Sequence, residues 1–380
     1  MPFLFISNEF QPGTGEIRRY LSNLALALNS KKETIVLTTK SDGWKNFDST
    51  TDINIIRAGK ESSKVSKVTS INRMAAKIAL KRKPSHIIGA NWQLAGVTAA
   101  NLNEYIKTPY SVILFGDELK TNLTNKRLAN RLRSILDDAS FIFVNSAYTA
   151  SLLKPLNYEN NKIHIAFPGG DTFDEKTLTD KEKIEFRKKL GVGGDETMIF
   201  SVSDLEQENA VDILIWSLQL LKQKSESFKL FIIGSGSDEK KLKIIINDLG
   251  IKDRISILTD EKRLELFYQT ADIYIQLNRG KKNSIIDGLG LSILEAGYYN
   301  KPSIASENNI TSEIITHNKT GILVPPLLPK ETAEAIYKLM TTKGLAPKLG
   351  KAAGKNIRSK FQWNLTADVI ENAIGEDSDK

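Results

Sequence analysis

The chain has no cysteine among its 380 residues. Disulfides and thiolate catalysis are excluded, and the composition points to a reducing compartment such as the cytoplasm. Histidine is scarce. His86, His164 and His317 lie far apart, and no group of residues has metal-ligand spacing. No run of ~18 uncharged apolar residues occurs, so no segment reads as a membrane-spanning helix. Met1 to Ser7 leads straight into polar residues rather than into the apolar core of a signal peptide. Internal repeats and low-complexity tracts are absent too.

What is present suits a globular chain of two or three domains, with 41% hydrophobic residues. The net charge of +8 is unevenly placed: residues 1–168 hold 23 Lys and Arg against 13 Asp and Glu, and the remainder holds 30 against 32. An excess of one sign in one half implies an anionic partner. The densest part runs from Arg57 to Lys83, where nine basic residues face Glu61. Within it Ile71, Met74, Ala75, Ile78 and Ala79 fall at helical spacing between Arg73, Lys77, Lys81 and Arg82. This pattern predicts an amphipathic basic helix and association with an anionic membrane surface through 57–83. No recognition motif accompanies the charge, so nucleic acid is not expected as a partner.

Apolar runs then alternate with helical stretches along the chain. Phe3–Ile6 reads as a buried strand, followed by a loop with Gly13 and Gly15 and by a helix with Ile17, Tyr20, Leu21, Leu24, Ala25 and Leu28 on one face. Further runs follow at 34–37, 53–56, 86–90, 111–114, 141–144 and 163–167. The turn Phe167-Pro168-Gly169-Gly170-Asp171 marks a domain boundary, and a second series begins at Met198. The alternation predicts parallel sheets with helices on both faces. The expected domains are 1–170, a charged lead-in over 171–196, 197–357, and a closing helix within 358–380.

The stretch from Ser284 to Pro302 carries the most chemistry. Asp287 and Glu295 are separated by seven residues, with Gly288 and Gly290 directly after the first. Leu291, Leu294 and Ala296 follow at helical spacing. Glycines admit a ligand close to the backbone, and a helix N-terminus offers unpaired N–H groups and a positive dipole end. Two carboxylates placed this way can accept hydrogen bonds from sugar hydroxyls.

Taken together, these segments resemble the family 4 glycosyltransferases of the GT-B fold. Gly13-Thr14-Gly15-Glu16 resembles the family's N-terminal glycine loop. Asn145-Ser146-Ala147-Tyr148-Thr149 resembles its N-S-x-Y-T segment, and Phe167 to Asp171 its P-N-G-V-D turn. Ile232 to Gly236 resembles its second glycine turn, Asp287 to Glu295 its E-x7-E motif, Thr320 to Val324 its T-G-x-L-V strand, and Phe361-Gln362-Trp363 the start of its closing helix. The resemblance implies two Rossmann-like domains facing a central cleft, with the C-terminal helix returning to the first. It implies retaining transfer of a sugar from a nucleotide-sugar donor to a glycan or lipid-linked acceptor, in cell-envelope or exopolysaccharide biosynthesis, without a metal. Gly15, Gly234, Gly236, Gly288, Leu289, Gly290 and Leu291 would lie along the donor, Glu295 would hold its ribose and Asp287 its sugar. Where the family has an Arg and a Lys, this chain has Asp204 and Asn209; where it has a His, Phe115 stands. Arg279, Lys281 and Lys282 would restore positive charge, and Asp117 or Glu118 would assist acceptor deprotonation. A catalytically silent homologue, binding sugar or nucleotide or serving as a partner subunit, is the alternative.

Overall fold

The computed structural model describes residues 1–13, 15–60, 64–171, 177–259, 261, 263–279 and 289–378, with only the backbone at 60, 64–67, 117, 121, 160 and 377–378. It divides into two units, Met1–Gly169 with Trp363–Lys380, and Gly170–Gln362. Among the described residues the first unit is built on a seven-stranded sheet of β1 (Phe3–Ile6), β2 (Thr34–Lys40), β3 (Asn54–Lys60), β4 (His86–Gly89), β5 (Tyr110–Leu114), β6 (Phe141–Val144) and β7 (Ile163–Ile165), ordered β3-β2-β1-β4-β5-β6-β7. The second has six strands, β8 (Thr197–Val202), β9 (Phe228–Ile233), β10 (Ile255–Leu258), β11 (Ile273–Gln276), β12 (Ser303–Ser306) and β13 (Gly321–Val324), ordered β10-β9-β8-β11-β12-β13. Every pairing is parallel. Parallel neighbours need crossovers, and the crossover helices cover the sheet faces. That explains why β1 and β4 bury every residue and read as unbroken apolar runs.

In the first unit, helix Glu16–Lys31 buries Tyr20, Leu21, Leu24, Ala25 and Leu28, the face legible in the sequence. Helix Trp363–Ser378 packs on it: the Trp363 ring meets Tyr20 edge-on at 5.4 Å, Lys31 pairs with Asp368 at 2.6 Å, and the Thr366 hydroxyl donates to the Phe167 carbonyl. The returning helix begins at Trp363. Residues before it form helix Leu345–Lys360, which packs Ile357 against Gly297 in the second unit. The charged lead-in is likewise part of that unit. Helix Asp180–Lys189 is capped by Thr179 and Glu182, lays Phe186 edge-on to Phe267 at 5.1 Å, and ties Arg187 to Asp272 at 2.9 Å.

The apolar stripe expected to face a membrane in 57–83 packs inside the first unit. Ile71, Ala75, Ile78 and Ala79 of helix Lys64–Arg82 are buried in the first unit's core with Ile35, Leu37 and Ile87. The apolar face is spent inside the domain. Arg57 is buried in β3, where it pairs with Asp48 at 2.7 Å and donates to the carbonyls of Thr39 and Gln11 at 3.0 and 2.6 Å. It too is withdrawn from any surface.

Candidate active site

In an open parallel sheet, ligands bind beyond the carboxyl ends of the strands where the order reverses. In the second unit the reversal falls between β8 and β11. Ser203 to Asn209 leaves β8 there, Leu277 to Arg279 leaves β11, and helix Leu291–Tyr298 begins beyond it. The Arg279 N–H donates to the Glu208 carbonyl at 2.7 Å, and its guanidinium pairs with Asp212. Its Nε is buried with no hydrogen-bond partner among the described residues. A cation is thus brought to the segment that lacks the expected Arg and Lys. Asn209 donates its amide to the Asp204 carbonyl at 2.8 Å, bracing the loop. The Asp204 carboxyl is pushed above its ordinary range by burial and then by Glu206.

Gly234 and Gly236, expected to admit a donor, are glycine for another reason. A Cβ on Gly234, whose φ is +155°, would stand 1.9 Å from the Ser203 carbonyl oxygen, and one on Gly236 would stand 2.4 Å from that of Leu205. The space beside both is taken by the loop after β8, which bonds back through Leu205 N–H to the Ser235 carbonyl at 2.9 Å. Leu289 and Leu291 are buried core residues rather than lining. Gly290 adopts φ +67° at the N-terminus of helix Leu291–Tyr298, and a Cβ there would strike Ile314 at 2.5 Å. Glu295 is fully buried on that helix, where the Tyr268 hydroxyl donates to its carboxylate at 2.9 Å. Its place beside the ribose was inferred from motif position alone; the structure puts it under cover. Lys281, Lys282, Asp287 and Gly288 lie outside the described residues, as does the Asp117 side chain.

In the first unit the order reverses between β1 and β4, and a cavity of about 680 Å³ lies there. Asn8 and Glu9 after β1, Asn91 after β4, and Phe115 and Glu118 after β5 line it, with Asn72 and Arg131. Asn91 bonds to Asn8 and accepts the N–H groups of Leu94 and Ala95 at 3.0 and 3.1 Å. Glu118 accepts the Phe115 N–H at 3.1 Å, so it caps helix Gly116–Leu123 while lining the cavity. Set among apolar neighbours such as Ile17, Leu94 and Val97, these amides, two carboxylates and one guanidinium offer both donors and acceptors to a hydroxylated ring. Asn8, Asn91 and Glu9 were missed from the sequence; their one signal is that they lie within three residues of the end of an apolar run. Gly15 has φ +111° and open space on its Cβ side. Asn145 to Thr149 is explained locally: Ser146 caps helix Ala147–Leu152, accepting Thr149 N–H at 3.0 Å.

Two Rossmann-like units of this kind, with the closing helix returned to the first, define the GT-B fold. Residues 182–357 match the family model "Glycosyl transferases group 1". A GDP-mannose-dependent alpha-(1-6)-phosphatidylinositol monomannoside mannosyltransferase of Mycobacterium tuberculosis is 26% identical over 253 residues, covering 65% of each chain, so the match spans just under two thirds of that relative. The protein of the same description from Mycolicibacterium smegmatis is 24% identical over 95% of this chain and 94% of its own. Among solved structures, Anabaena HepE in complex with UDP superimposes with a TM-score of 0.82 at 17% identity, covering 99% of this chain and 100% of that one. Residues 182–357 thus resemble the group 1 glycosyl transferases, and the chain has the GT-B fold.

Proposed function

We propose that the chain transfers a sugar, with retention and without a metal, from a nucleotide-sugar donor to a glycan or lipid-linked acceptor, at the cytoplasmic side of a membrane in cell-envelope or polysaccharide biosynthesis. The observation that carries this reading is Arg279, brought to the crevice of the second unit beside the loop that lacks the family's cations. A guanidinium there offsets a diphosphate's charge. Relatives that match the chain include mannosyltransferases, and the structural neighbour HepE is described with UDP. Glu295 reaches a ribose once the Tyr268 hydrogen bond is exchanged. The cavity of the first unit receives the acceptor, with Glu118 beside it. A thermal-shift panel of UDP, GDP, ADP and their sugars tests this, because a ligand that binds only the folded state raises Tm. Arg279→Gln should remove the shift given by the best nucleotide. No shift with any of them sinks the proposal, and an inverted anomer in the product sinks retention.

The silent-homologue reading draws on the Asp204 and Glu206 carboxyls at the same crevice and on the covered Glu295. Turnover of a donor at ~1 s⁻¹ or faster, the rate of ordinary enzymes, excludes it. With the apolar face packed away, any membrane association rests on charge and on exposed Leu80. Arg73, Lys77, Lys81, Arg82 and Lys83 are exposed cations among the described side chains of this stretch, with Arg82 pairing with Glu33. Each contributes at most about 1 kcal/mol at an anionic surface. Pelleting with anionic but not neutral vesicles, lost when Lys77, Lys81 and Lys83 become Gln, is the expected result. Equal pelleting with both refutes it.

A further inference from the structure

The second unit holds another cavity, about 340 Å³, that belongs to neither crevice nor motif. Its wall is made by Lys183 of helix Asp180–Lys189, Tyr298, Tyr299, Asn300 and Lys301 at the end of helix Leu291–Tyr298, and Arg358 of helix Leu345–Lys360. Lys301 stands two residues before β12, so the cavity lies at the amino ends of the strands. The nucleotide crevice lies at their carboxyl ends.

Three cationic side chains converge on this cavity, and among the described residues few acidic groups answer them. The Lys301 ammonium is largely withdrawn from solvent and donates to the Gln269 carbonyl at 2.9 Å, a neutral acceptor. Burial pushes it down to about 8, countered by Asp272 and reinforced by Lys183 and Arg187. Asp272 is already committed, accepting from Arg187 at 2.9 Å and from the Met198 N–H at 2.8 Å. Asp180 stands 3.6 Å from Lys183 with its side chain 97% exposed, where screening leaves it a weak partner. Arg358 is oriented by neutral oxygens, the Tyr298 carbonyl at 2.6 Å and the Asn300 amide oxygen at 2.7 Å. It lies over the Tyr298 ring at 5.9 Å. Burying an ammonium beside two further cations is costly unless an anion joins them.

We propose that this cavity is a binding site for a small phosphate-bearing anion, with Lys183, Lys301 and Arg358 as its cationic ligands. Lys183 and Arg358 come from separate helices and Lys301 from the turn after a third, so an anion between them also ties these segments together. The Tyr299 wall stacks on Tyr268 with ring centroids 6.2 Å apart and 9° between planes. Tyr268 in turn holds Glu295, so the pocket lies one aromatic layer from the motif carboxylate. The inference stands whether or not the chain transfers sugar.

Calorimetry of the full chain at pH 8 with inorganic phosphate, glucose 1-phosphate and, as an uncharged control, glucose tests it. Two buffers of different ionisation enthalpy report proton uptake. An anion held by Lys301 restores its charge, so about half a proton should be taken up per anion at that pH. Whichever of inorganic phosphate and glucose 1-phosphate binds more tightly names the source. Lys301→Met should abolish the uptake and weaken binding tenfold or more. Lys183→Gln, at a half-buried helix position, should weaken it several-fold and decides the matter if Lys301→Met does not fold. Absence of saturable phosphate binding, binding without proton uptake, or binding unchanged by Lys183→Gln overturns the proposal.

Discussion

Replacing Gly234 by alanine asks whether the glycine turn after β9 serves a ligand or the fold. The added Cβ would stand 1.9 Å from the Ser203 carbonyl oxygen and 2.8 Å from its carbon, both backbone atoms of a loop held by Leu205. Neither can move aside as a side-chain tip would. Overpacking costs about 1–3 kcal/mol, and a non-glycine residue at φ +155° adds about 1–3 more. A loss of about 3 kcal/mol or more is expected. For a unit of this size that lowers Tm by roughly 6–12 °C. Two companions separate the causes. Gly15→Ala meets open space at φ +111°, so it carries conformational strain alone, about 1–2 kcal/mol. Gly194→Ala meets neither a neighbour nor an unusual φ, and should be neutral or stabilise by about 0.4–1 kcal/mol through the unfolded chain. Urea denaturation followed by circular dichroism, with nucleotide absent, ranks the three. If Gly234→Ala unfolds no more readily than Gly15→Ala, the backbone-contact explanation is wrong and the turn is kept open for a ligand.

Two other expectations follow from buried polar groups. Tyr268→Phe removes a hydroxyl from the fully buried Glu295 carboxylate and should cost about 1.5–3 kcal/mol of stability; an unchanged melting temperature would show that other donors suffice. His86 lies inside β4 with Nε2 2.8 Å from the Ser111 hydroxyl, and burial, aided by Lys32, lowers it to about 3. Its folded value is below its unfolded one, so the unfolded chain takes up the proton first. Stability is undiminished above pH 6.5 and falls by about 1.4 kcal/mol per unit towards pH 3, or about 2 kcal/mol at pH 5. His86→Leu should narrow the difference in urea midpoint between pH 7 and pH 5, and an identical difference in both proteins would refute the assignment.

The sheets were readable in the sequence because each buried strand writes itself as a short apolar run bounded by glycine or polar residues. The strand order at the switch points was not, since nothing local records which strands pair. Gly234 and Gly236 show a second limit. A glycine declares that something approaches the backbone closely but not whether it is a ligand or, as here, the loop after β8. The spacing of Glu295 set it on a helix, yet its cover, Tyr268, lies 27 residues away in the chain. Helix Lys64–Arg82 misled for a related reason: its apolar stripe was read correctly, but a stripe does not say whether a lipid or a core fills it. The cationic cavity drew on Lys183, Lys301 and Arg358, which no single stretch of sequence brings together.

The way the first unit is assembled has a consequence for its birth on the ribosome. Its sheet comes from residues up to Gly169, while the helix that packs on Tyr20 starts at Trp363. The second unit, Gly170–Gln362, is an uninterrupted segment. During synthesis the second unit can complete itself while the first waits, with the Tyr20 side of helix Glu16–Lys31 uncovered, until translation has passed Trp363. A nascent chain stalled before that point would hold a finished second unit and an unfinished first, the form most in need of a chaperone.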